Sequence, residues 1–88
     1  MEKLFANVKE ALEKAMPLNY SESQEIRISC ELCDRGHMEY SLQRVYDKAG
    51  MKFPLELYTV LSDPEFDVRM TCMKGIASIM EEVTAPGK

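Results

Sequence analysis

Residues 25–50 read Glu25-Ile26-Arg27-Ile28-Ser29-Cys30-Glu31-Leu32-Cys33-Asp34-Arg35-Gly36-His37-Met38-Glu39-Tyr40-Ser41-Leu42-Gln43-Arg44-Val45-Tyr46-Asp47-Lys48-Ala49-Gly50. Whether this stretch is paired strands or packed helices decides the fold. From Glu25, the residues Ile26, Ile28, Cys30 and Leu32 alternate with Arg27, Ser29 and Glu31. A period of two fits a strand with one buried face. Asp34-Arg35-Gly36 follows, and Gly36 can take the left-handed conformation that closes a short hairpin. Met38, Tyr40 and Leu42 then alternate with Glu39, Ser41 and Gln43, which reads as the returning strand, and Asp47-Lys48-Ala49-Gly50 is a second turn signal. A competing pattern runs through the same residues: Met38, Leu42, Val45, Tyr46 and Ala49 also fit a helical stripe with Gly50 as its C-cap. The strand reading is adopted because Glu25–Leu32 needs a pairing partner and both turn signals sit where a meander wants them.

Outward from this stretch the elements are clearer. In residues 2–16, Leu4, Val8, Ala11, Leu12 and Ala15 form one helical stripe, and Pro17 stops the helix near Met16. Residues 17–24 read as a polar connection. Phe53, Leu55, Leu57 and Leu61 supply a third alternating run, which Pro54 consigns to the sheet edge because it cannot donate a ladder hydrogen bond. Ser62-Asp63-Pro64-Glu65 has the spacing of a capping box, and Phe66, Met70, Met73, Ala77 and Met80 recur behind it at helical intervals. A strand over Phe66–Cys72 with a shorter helix is the alternative there. Phe66 and Met70 are expected in the core. The chain is therefore expected to be an α+β protein, a two-layer α-β-β-β-α fold with a three-stranded antiparallel meander and two helices on one face. Residues 1–84 would form a single domain and 85–88 a frayed tail.

The chain has 88 residues, a formal charge of −4 and 45% hydrophobic residues. That length allows one small domain, and the composition is that of a globular protein. The acidic balance speaks against nucleic-acid binding, which needs clustered Lys and Arg. No apolar h-region opens the chain and no run approaches a membrane span, so a cytoplasmic, non-membrane protein is expected. Three cysteines cannot close a disulfide framework and should be thiols in that compartment.

The sharpest chemical motif is Cys30-x2-Cys33 with His37 after three intervening residues and Cys72 far along the chain, the ligand set of a Cys3His zinc site. The spacing resembles a retroviral-type zinc knuckle, but the gap to His37 is three residues and Leu42 stands where the closing Cys belongs. The metal-free reading makes Cys30 a core residue and Cys33 a peripheral one, with no cofactor; zinc remains the alternative. The C-x2-C also resembles a thioredoxin-like pair, but Glu31 and Asp34 beside it oppose a thiolate. His37 is the single histidine, no nucleophile motif or Gly-rich phosphate loop is present, and Glu65, Asp67, Glu81 and Glu82 read as solvated helix acids. An enzyme is not expected. The α-β-β-β-α order resembles double-stranded-RNA-binding domains, yet their basic cluster is replaced here by Asp63, Glu65 and Asp67.

These readings leave a small acidic, non-catalytic interaction module: an adaptor, regulator or inhibitor that occupies another protein, of the kind a virus or mobile element encodes against a host enzyme. Val45, Tyr58 and Val60 fall on the predicted solvent face near the third strand, where only Glu56 supplies a charge. An unprotected edge recruits another strand, so docking or homodimerisation through this strand is expected. The bland alternative makes these residues good strand formers and nothing more. Met70, Met73 and Met80 read as adaptable core filling.

Overall fold

Capping chemistry at Asn19, Asp34 and Gly50 overrides the apparent alternation. The computed structural model describes residues 1–84 and has five helices: α1 (Glu2–Ala15), α2 (Tyr20–Glu31), α3 (Arg35–Ala49), α4 (Leu55–Leu61) and α5 (Phe66–Thr84). The structure is 80% helical and holds no strand among the described residues. The expected α+β meander is therefore wrong, and the protein is all-α. The frayed tail expected at 85–88 lies outside the described residues.

Helix α1 buries Leu4, Val8, Ala11, Leu12 and Ala15, the stripe its spacing predicts, and ends in an extended Met16 (ψ 146°) before Pro17. Helix α2 stands where the first strand was expected. Its start is fixed reciprocally. The Glu22 N–H donates to Asn19 Oδ1 and the Asn19 N–H donates to Glu22 Oε1, each at 2.8 Å. Two donors that a helix start leaves unpaired are thereby satisfied. Lys48 of α3 reaches back to the same corner, donating to the Pro17 carbonyl at 2.7 Å and to Glu22 Oε1 at 3.2 Å. Backbone and ammonium partners together hold the Glu22 carboxyl below its usual range. The corner should thus loosen as acid protonates Glu22.

The alternation in 26–32 turns out to join two faces of one helix. Ile26 and Ser29 are buried and Cys30 is half-buried, whereas Ile28 is 42% and Leu32 71% exposed. Inward positions three and one apart belong to a helix; the two outward apolar residues imitated a strand. After Leu32 the helix closes in a Schellman motif. The Asp34 N–H donates to the Ser29 carbonyl at 2.9 Å and the Cys33 N–H to the Cys30 carbonyl at 3.2 Å. Cys33, with φ 56°, takes the left-handed position that glycine normally fills, while Gly36 lies inside α3. The expected hairpin at 34–36 is instead a helix start, with the His37 N–H donating to Asp34 Oδ1 at 3.0 Å. Since a left-handed L-residue costs about 1–2 kcal/mol, Cys33→Gly is expected to stabilise the fold by about 0.5–1 kcal/mol after the entropic loss. The urea midpoint should rise; an unchanged or lower midpoint would contradict the strain argument.

Helix α3 buries Met38, Leu42, Val45 and Tyr46 and stops at Gly50 (φ 69°), so the competing helical pattern was the correct one. The third strand is also absent. Pro54 is the N-cap of α4, and Leu57 and Leu61, four residues apart, point inward. At α5 the expected Ser62–Glu65 box does not form. Ser62 instead ends α4, and the Glu65 N–H donates to Asp63 Oδ1 at 2.9 Å. The inward stripe consequently begins a turn later than expected: Cys72, Met73, Ile76 and Met80 are buried, Met70 is half-buried, and Phe66 is 54% exposed. Phe66 lies under the Arg69 guanidinium, 5.8 Å from its ring centre. The strand alternative over Phe66–Cys72 falls with the same finding.

The buried residues of all five helices join in one core. Helix α1 packs on α3 and α5, α2 packs on α3 and α5, and α4 packs on α5 and α3. Gly75 permits a close approach of α1 to α5, since a Cβ there would overlap Cζ of Phe5 and stand 2.8 Å from its Cε1. Tyr46, buried in the core, donates from its hydroxyl to Asn7 Oδ1 at 2.6 Å.

Candidate functional site: an apolar groove at the α3–α4 corner

Gly50 caps the end of α3 and Pro54 the start of α4, so residues 50–54 cross the corner between them. Phe53 is fixed there by its ring, which meets the Tyr46 ring edge-on at 5.3 Å and 64°. Because Leu57 and Leu61 hold α4 to the core, Leu55 and Tyr58, three residues apart, share an outward flank. Leu55 is 79% and Tyr58 49% exposed. With Lys52, Phe53 and Pro54 they line an open groove of about 620 Å³. Its lining offers apolar surface, two aromatic rings and one cation, and no carboxylate, imidazole or thiol. Such a lining can bury an apolar group and attract a negative one.

The four partner-binding residues expected from sequence are not gathered here. Tyr58 lines the groove. Glu56 is exposed on α4 outside the lining. Val60 packs against the core, and Val45 is fully buried on α3, 1% exposed. Their grouping depended on a strand phase of two; at about 100° per residue Val45 turns inward and Val60 leaves Tyr58's flank. The edge-strand route to dimerisation disappears with the strand. Leu55, Phe53, Pro54 and Lys52 were the missed members. Pro54 as a helix-start residue, followed by the Leu57–Leu61 pair, was the available signal.

The sulfur and imidazole groups are dispersed. Cys30 is half-buried in α2, Cys33 is exposed at its end, His37 is in the first turn of α3, and Cys72 is buried in α5. Among the described residues no three His, Cys, Asp or Glu side chains come together as a metal-holding group. Burial pushes the Cys72 thiol up to about 11, and burial followed by the Glu10 carboxylate pushes the Tyr46 hydroxyl up to about 12. Both groups favour the fold most while protonated. Their contribution should be complete below about pH 9, where the unfolded thiol begins to ionise, and should decline as pH rises through 11 and 12. Urea midpoints taken between pH 8 and 11.5 should fall monotonically, and Tyr46→Phe should flatten the upper part of that fall.

No helix among the described residues is long and apolar enough to cross a membrane. No family model matches the sequence, and neither a curated protein nor a solved structure matches the chain significantly.

Proposed function

We propose that this chain is a small acidic, non-catalytic module that works in the cytoplasm by holding an apolar segment of another protein in the α3–α4 groove. One observation carries the reading: Leu55, 79% exposed, stands beside Tyr58 over a groove floored by Phe53 and Pro54. A leucine in that position gains almost nothing from folding, whereas a fully covered Leu55 would contribute about 1.5–3 kcal/mol. Tyrosine and leucine set around a rigid aromatic floor are the composition of an interface centre, and Lys52 supplies a polar rim. An adaptor or an inhibitor acts in the same way here, by occupying its partner.

A photo-crosslinking benzophenone side chain placed at position 55 tests this in cells that express the full chain. Discrete heavier adducts should form from position 55, should be absent from the same probe at exposed Ser78 of α5, and should fall at least tenfold with Tyr58→Lys. Adducts of equal yield from both positions, or none from 55, would dismiss the groove as the binding site.

A further inference from the structure

The Schellman turn that closes α2 holds two thiols and one unexplained choice of residue. Its left-handed position is filled by Cys33, where glycine would fit without strain. A strained position occupied by a chemically special side chain points to a use for that side chain. The second thiol, Cys30, is three residues earlier, and its carbonyl accepts the Cys33 N–H at 3.2 Å. A reverse turn of this kind keeps its first and fourth Cα atoms within about 7 Å. That is the separation beyond which a disulfide cannot form without backbone movement, so the turn leaves a Cys30–Cys33 bridge open.

We infer that Cys30 and Cys33 form a reversible dithiol–disulfide site that reacts with low-molecular-weight disulfides such as oxidised glutathione. The two thiols have different parts. Cys33 is exposed and meets the oxidant; Cys30 is half-buried, packs against the core and resolves the adduct. In the first step Cys33 loses its proton to solvent and its sulfur attacks one sulfur of the glutathione disulfide. A mixed disulfide forms and one glutathione thiolate leaves. In the second step the Cys30 thiolate attacks Cys33 Sγ, the mixed bond breaks and a second glutathione thiolate leaves. The cysteine pair gives up two electrons, glutathione disulfide takes them, and the two protons released by the cysteines reprotonate the two glutathiones.

The surroundings set the pace. Desolvation and the neighbouring Cys33 push the Cys30 thiol up, and Glu31 adds to this; Lys74, facing from α5, is the cation that opposes them. The pair lies at the C-terminal end of a helix, where the dipole disfavours an anion. Attack by Cys30 is therefore the slower of the two steps, and the glutathione adduct on Cys33 precedes the bridge that replaces it. Cys72 takes no part, being buried in α5.

The test uses the full chain, incubated with oxidised glutathione, quenched in acid and mapped by peptide mass. A single Cys30–Cys33 bridge should accumulate, with a loss of ~2 Da for two hydrogens and no glutathione retained. Excess reduced glutathione should reverse it. Cys30→Ser should stop at a stable glutathione adduct on Cys33, and Cys33→Ser should gain neither bridge nor adduct at the same rate; circular dichroism confirms that both variants remain helical. A wild-type chain that keeps glutathione on Cys33, joins covalently to a second copy, or does not react would overturn the proposal.

Discussion

Tyr46→Ala is expected to cost about 3–5 kcal/mol, the range for removing a fully buried aromatic side chain. Three losses combine at this position. The ring is 1% exposed, so its removal leaves a cavity among α1, α3 and the core. Its hydroxyl hydrogen bond to Asn7 Oδ1, 2.6 Å long, ties α3 to α1. Its edge-on contact also fixes Phe53, which lines the groove. Tyr46→Phe isolates the second of these and should cost about 0.5–1.5 kcal/mol. The alanine variant should further weaken crosslinking from position 55, because the groove loses its support; the phenylalanine variant should leave it intact. Urea unfolding followed by circular dichroism separates the two. Equal losses for the two variants would show that the hydroxyl, and not the ring, carries the position.

Gly75→Val is expected to destabilise by about 1–3 kcal/mol through overpacking. Helix propensity alone predicts the opposite sign, because glycine inside a helix is about 1 kcal/mol worse than alanine. The Phe5 ring decides the contest, since a Cβ at Gly75 would overlap it. The same reasoning predicts a reversal. In a Phe5→Leu background the obstruction is removed, and Gly75→Ala should then stabilise by up to about 1 kcal/mol. A double-mutant cycle reads this directly: a coupling energy near zero would mean that the two helices part easily and that Gly75 is not required by the approach of Phe5.

The first helix was legible in full because its stripe and its stop agree: Leu4 to Ala15 at helical spacing, then Pro17. The middle of the chain was not, because Ile28 and Leu32 are apolar yet outward and turn a helical surface into a false alternation. The correction was present in polar residues. Asn19 with Glu22 is a capping box in which asparagine takes the serine position, and Asp34 with Gly50 brackets α3. A polar stretch such as 17–24 can therefore be a helix start as readily as a connection. For the site, Tyr58 was legible as exposed and apolar-faced, but Val45 and Val60 were assigned to its face by the wrong period. Leu55 was hidden inside a run of leucines until Leu57 and Leu61 were seen to turn inward. Phe66 illustrates the reverse error, since a cation above its ring lets a large aromatic remain outside the core.

Phe5 against Gly75 and the 2.9 Å ion pair of Lys9 with Glu82 join α1 to α5, so the first and last of the five helices touch. Everything between those helices forms a single long loop, and lengthening that loop changes the cost of closing it only logarithmically. Neither end helix can peel away without opening the core, so the described residues should lose structure in one cooperative event.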